Sequence, residues 1–185
     1  MNAVKFNEPY LTGNEEKYIK DVFDRKQFYG SGYYTQKCQE LISEKISVEN
    51  ILLTDSCTSA LEISALLLRE WDKEQEVILP SYTFSSTAAA FARAGFKIIF
   101  AEIDPQTMMI DIEDAKNKIT SQTVAIVVVH YGGFGANVKL FKKLCVSNLI
   151  YLIEDAAQAF GCIDDGHHLV TTGDLGCYSF HETKN

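Results

Sequence analysis

Four short stretches of the 185-residue chain carry side chains suited to one piece of chemistry. In "EDAAQAFG" (154–161) the preceding apolar run delivers Glu154 and Asp155 to a strand end, and strand alternation turns them to opposite faces. Asp155 then begins a turn of small residues, with Gln158 three further on. An aspartate among Leu152, Ile153, Ala156 and Ala157 is costly to bury unless a cation or several donors meet it. The alternative is that it caps the turn. "DSCTSALE" (55–62) is small and polar and then helical, so the backbone N–H groups of Ser56, Cys57 and Thr58 suit an anion at a helix N-terminus. Here the alternative is that Asp55 or Ser56 is a plain N-cap. "SYTFSST" (81–87) sets Tyr82 and Phe84 two apart, on one side of an extended chain, where a ring either covers a flat ligand or fills the core. "LGCYSFHETK" (175–184) presents Ser179 and Lys184 after a β-like run. A carboxylate for a ring nitrogen, an aromatic face, an anion nest and an amine are together what a phosphorylated pyridine aldehyde requires.

The elements that must position these residues follow from apolar spacing. Thr12 and Asn14 can cap a helix to about Arg25. A glycine-broken loop (28–33) follows, then a second helix over about 34–46. "ILLT" (51–54), "EVILP" (76–80), "KIIFAEI" (97–103), "TVAIVVVH" (123–130) and "LIYLIE" (149–154) are apolar strand runs. Helical spacing covers 58–70, 86–95 and about 136–147. Alternating strands and helices predict an α/β fold, a mostly parallel sheet with helices on both faces. Ligands of such sheets bind beyond the carboxyl ends of the strands, which is where all four stretches stand.

Composition excludes other classes. A formal charge of −8 and a pI near 5.0, with no Lys/Arg cluster, argue against nucleic acid as a partner. Five scattered cysteines without a CxxC pair fit a reduced compartment better than disulfides or a zinc site, so no metal is expected. No secretory signal and no membrane-length apolar run are present, and the expected localisation is cytoplasmic. No GxGxxG or P-loop pattern occurs.

"SYTFSSTAAAFARAG" (81–95), "EDAAQAFG" and "SFHETKN" (179–185) resemble the DegT/StrS family of nucleotide-sugar aminotransferases, which are fold-type-I enzymes dependent on pyridoxal 5'-phosphate. "SCTSALEISALLL" (56–68), "VHYGG" (129–133) and "HETKN" are similar to the subgroup that forms dTDP-4-amino-4,6-dideoxygalactose from a 4-keto-6-deoxy sugar and L-glutamate. The resemblance runs from about Asn7 to Asn185. It implies that Lys184 is the covalent anchor and acid/base, that Asp155 binds the pyridine nitrogen and that Gln158 bonds the ring's phenolic oxygen. Phe84, rather than Tyr82, falls at the stacking position. Cys57, Thr58 and Ser179 fall at the phosphate. The family's sugar dehydratases carry histidine in place of the lysine, so Lys184 argues against that reaction.

Family members are about twice this length. Residues 1–185 are therefore expected to be most of the cofactor-binding large domain of a homodimeric enzyme, without the smaller C-terminal domain and with little activity alone. The rival expectations are a non-catalytic cofactor-binding or dimerisation remnant, and a transaminase for another nucleotide-linked keto sugar.

Overall fold

Runs such as "VAIVVV" are apolar at every position, as strands covered on both faces must be. In the computed structural model, which describes residues 8–184, these runs form β1 (Glu76–Pro80), β2 (Lys97–Ala101), β3 (Thr123–Val129) and β4 (Tyr151–Ala156). A small antiparallel hairpin of β5 (Ile163–Asp164) and β6 (His167–His168) follows, and then β7 (Leu175–Tyr178). The main sheet has the order β2-β1-β3-β4-β7, and every neighbouring pair in it is parallel. Its order reverses between β1 and β3, the switch point at which open parallel sheets form their ligand crevice.

The chain divides into two compact units, residues 54–180 and residues 8–53 with 181–184. The latter holds α1 (Glu15–Arg25) and α2 (Tyr33–Ile46), close to the expected helices. Asn14 is the N-cap of α1 by position, but its side chain makes no capping bond. The Glu15 carboxylate instead accepts from Thr12 N at 2.7 Å, Thr12 Oγ1 at 2.9 Å and Gly13 N at 2.9 Å. The expected strand at 51–54 does not form. A strand exists only where its backbone finds a neighbouring ladder, and here the Gln39 side chain takes the Ile51 carbonyl at 2.6 Å while Leu52 is 68% exposed.

In the larger unit, α3 (Cys57–Leu68) and α4 (Ser85–Arg93) cover one face of the sheet, packing on Val77, Leu79, Ala125, Val127, Ile153 and Cys177. The opposite face, with Ile78, Ile126, Val128 and Leu152, is covered by α5 (Ile112–Asn117) and α6 (Val138–Asn148). The six-residue α5 was not foreseen. Its start is fixed by Asp111, whose side chain accepts the Asp114 N–H at 2.8 Å. β4 begins and ends two residues later than its apolar run suggests, because Leu149 still closes α6 in a left-handed conformation (φ 58°). Asp155 is therefore a strand residue paired across to Val129 and Cys177, and the turn begins after Ala156. The register of β4 is pinned by Asp174, whose side chain accepts the Leu152 N–H and whose N–H reaches the Leu152 carbonyl, both at 2.8 Å.

Candidate active site

Alternation along β4 places Asp155 on the face of α3 and α4, and Glu154 on that of α5 and α6. Asp155 is 4% exposed. Its Oδ2 accepts the Thr87 hydroxyl at 2.7 Å, and its Oδ1 accepts the Ala157 N–H at 3.1 Å. Thr87 is in turn bonded to the Thr83 hydroxyl at 2.9 Å. Both readings of Asp155 thus hold in part: it bonds the following turn, and it is a buried acceptor met by a second element. The Asp155 carbonyl also accepts the N–H of His130, joining the ends of β3 and β4 at 3.0 Å.

Gln158 lies just past β4, and its Oε1 accepts the Gly132 N–H at 2.8 Å. Gly132 has a φ of +63°, which admits the tight turn after β3 without strain. Ser179 follows β7 directly and is buried. Cys57 and Thr58 form the first turn of α3, whose N-cap is Ser56, with its side chain accepting the Ser59 N–H at 3.1 Å. The cap and the anion nest are therefore not alternatives. The hydroxyl of Ser56 serves the third turn position, and the first-turn N–H groups still lie at the positive end of a twelve-residue helix.

The chain bends through residues 81–83 instead of continuing as a strand. Tyr82 turns to Tyr131, with the two hydroxyls 2.8 Å apart and the ring centroids 4.8 Å apart, which bridges the loops at the switch point. Phe84 is the N-cap residue of α4, and its ring is 73% exposed. A residue so exposed fills no core of the larger unit.

Lys184 belongs to the smaller unit, where its N–H donates to the His181 carbonyl at 2.8 Å and closes a turn. The larger unit brings Asp155, Gln158, Ser179 and Phe84 to the carboxyl ends of its parallel strands, and Cys57 and Thr58 to the start of a helix on the Asp155 face. An acceptor carboxylate, an exposed ring and a helix N-terminus fit a phosphorylated pyridine. Sequence reasoning missed Thr87, Tyr131 and the His130–Glu154 pair. Of these only Glu154 left a signal, a second acid beside Asp155 at a strand end.

A family model for the DegT/DnrJ/EryC1/StrS aminotransferases matches residues 9–185. The chain belongs to this family. A GDP-perosamine synthase of Vibrio cholerae is 32% identical over 179 residues, which are 96% of this chain and 48% of that protein. A dTDP-4-amino-4,6-dideoxy-D-glucose transaminase of Shigella dysenteriae is 34% identical, with the same two coverages of 96% and 48%. The chain thus spans about half the length of the relatives it matches. Among solved structures, Helicobacter pylori PseC, an aminotransferase of pseudoaminic acid biosynthesis, superposes with a TM-score of 0.91 at 26% identity, over 97% of this chain and 48% of that one. A putative sugar aminotransferase of Streptococcus pneumoniae, described in its PLP form, shares the fold with a TM-score of 0.89 at 21% identity, over 98% and 50%. The α/β fold expected from the sequence, formed here with a five-stranded parallel sheet, is that of these aminotransferases over about half their length. Among the described residues no helix is long and apolar enough to cross a membrane.

Proposed function

We propose that the protein carrying this chain is a pyridoxal phosphate-dependent aminotransferase. It moves the amino group of L-glutamate onto C4 of a dTDP-linked 4-keto-6-deoxy sugar. The observation that carries this reading is Asp155, a buried acceptor carboxylate at the end of a central parallel strand, on the same sheet face as the α3 N-terminus. Family membership supports aminotransfer. The Shigella dysenteriae relative, a dTDP-4-amino-4,6-dideoxy-D-glucose transaminase, supports a dTDP sugar aminated at C4. On the same reading residues 1–185 are most of the cofactor-binding domain of a homodimer, and a smaller domain completes each subunit.

When bound, the cofactor supplies an electron sink for the bonds at the amino acid's α-carbon. Asp155, held by Thr87 and Ala157, would accept from the pyridine nitrogen and so keep it protonated. The first turn of α3, with Cys57 and Thr58, and the Ser179 hydroxyl bind the phosphate. Phe84 would cover the ring, and Gln158 would bond its phenolic oxygen. Lys184 would hold the cofactor covalently at rest, and its displaced amine would move a proton from the amino acid's α-carbon to the cofactor and, in the second half-reaction, from the cofactor to C4 of the sugar.

The test incubates the purified protein with pyridoxal phosphate, L-glutamate and dTDP-4-keto-6-deoxyglucose. Mass spectrometry should find 2-oxoglutarate and the aminated dTDP sugar in equal amounts. A parallel reaction with the GDP-linked 4-keto-6-deoxy sugar decides the nucleotide, and failure to aminate either sugar overturns the reading.

A further inference from the structure

Across the sheet from Asp155 lie two side chains with no exposure at all, His130 and Glu154. The chemistry proposed above uses neither. His130 Nδ1 accepts the Ala136 N–H at 3.1 Å, so the neutral ring carries its proton on Nε2 and donates it to Glu154 Oε2 at 2.8 Å. The same oxygen accepts the Val170 N–H at 2.9 Å. Glu154 Oε1 accepts the N–H groups of Thr172, at 3.1 Å, and of Gly173. A carboxylate with four donors is satisfied without a cation. The fit is close, because a Cβ on Gly173 would come within 2.9 Å of Glu154 Oε1.

Each of these bonds ends on a segment that bonds, or leads into a strand that ends at, a candidate residue. The bond to Ala136 closes the loop after β3, and inside that loop Gly132 holds the Gln158 amide. His130 N also donates to the Asp155 carbonyl, so ring and backbone of one residue fix both that loop and the end of β4. The bonds to Val170, Thr172 and Gly173 hold the loop that leads into β7, and Ser179 follows that strand.

We propose that His130 and Glu154 are positioning residues for the candidate site. They form a clamp beneath the sheet that fixes Asp155, Gln158 and Ser179 together, an inference that rests on the cofactor reading above. The clamp touches neither cofactor nor substrate. It acts by denying three strand-end segments the freedom to shift relative to one another.

Glu154→Gln in the protein carrying this chain is the direct test. A carboxamide has one acceptor oxygen and one donor nitrogen, so one of the two donor pairs now faces an N–H group. The expected result is a pyridoxal phosphate dissociation constant raised about tenfold or more. Faster hydrogen exchange at the amides of Gly132 and Gly173 should accompany it. Ile126→Val, in the core under the same face, serves as a control that loosens packing without touching the clamp. Both variants are compared at the same interval below their own melting temperatures. Weaker binding by Glu154→Gln with unchanged binding by Ile126→Val supports the clamp. Unchanged binding by Glu154→Gln, or equal losses in both, overturns it. Should Glu154→Gln not fold, His130→Gln, which keeps one donor toward Glu154, is read in the same way. A wild-type protein that binds no pyridoxal phosphate overturns the cofactor reading itself, and the clamp's role with it.

Discussion

Thr87, in the first turn of α4, donates its hydroxyl to Asp155 Oδ2 at 2.7 Å across the interior of the larger unit. Both residues are buried, so the bond has no water to replace it. Thr87→Val should therefore lower stability by about 1–3 kcal/mol, the cost of leaving a buried acceptor short of a donor. Thr87→Ser, which keeps the hydroxyl, should lose less. Urea unfolding of the two variants measures the difference, and equal losses would assign the effect to the missing methyl instead.

Asp155→Asn keeps the shape and can still accept from Thr87, but it is neutral. Cofactor should remain bound while transamination falls about a hundredfold or more, roughly 3 kcal/mol of transition-state stabilisation. Single-turnover rates with L-glutamate give the number. Near-wild-type rates would reduce Asp155 to a bond with its own turn.

Lys184→Ala should abolish both turnover and covalent retention of pyridoxal phosphate. After borohydride treatment, peptide mass spectrometry of the wild type should find the cofactor on Lys184, and the variant should carry none. Label on another lysine would remove Lys184 from the mechanism.

Glu154 gives a pH dependence with a definite sign. Burial opposes its charge, but the His130 ring and the N–H groups of Gly173 and Val170 outweigh that and hold its carboxyl below the usual range. A depressed folded-state value means that the stabilisation is fully present above the unfolded value of about 4.3. It is lost as pH falls through the lower, folded value. The stability gap between wild type and Glu154→Gln should thus be constant from neutral pH down to about 5 and close below about 4. Chemical denaturation at a series of pH values reads it directly.

Val170 adopts a φ of +80°, a conformation that β-branched residues avoid, and its N–H is one of the donors to Glu154. Its side chain lies so close to Gly176 that a Cβ there would collide with Val170 Cγ1. Gly176→Ala should destabilise by about 1–3 kcal/mol. Adding Val170→Gly should restore most of that loss, because it removes the obstructing side chain and the strained φ together. Additive losses in the double variant would place the cost of Gly176→Ala elsewhere.

The parallel sheet was legible because most of its strands are built on continuous apolar runs, and β1 matches its expected bounds residue for residue. The run at 51–54 has the same local character but forms no strand, since pairing depends on neighbours that a local pattern does not contain. Asp155 and Gln158 stood out as polar residues directly after an apolar strand. Thr87 could not, because a threonine in a helix looks the same whether or not a carboxylate faces it from 68 residues away. His130 was hidden for a similar reason: its meaning lies in Ala136, Glu154 and the loop at 170–173, which only the folded chain assembles.

β4 reads Leu152, Ile153, Glu154, Asp155, two aliphatic residues followed by two acids. Shifted by one position, the strand would still show an aliphatic and an acid to each layer of helices, so its own side chains encode the correct frame almost redundantly. Only one methylene separates the two acids. The information that tells one frame from the other must come from outside the strand, and Asp174 supplies it by gripping Leu152 through both its N–H and its carbonyl. An exposed-looking aspartate before β7 thus acts as a proofreading contact. Its loss would leave the choice of frame to the donors that meet each carboxylate, His130 and the 170–173 loop for Glu154 and Thr87 for Asp155.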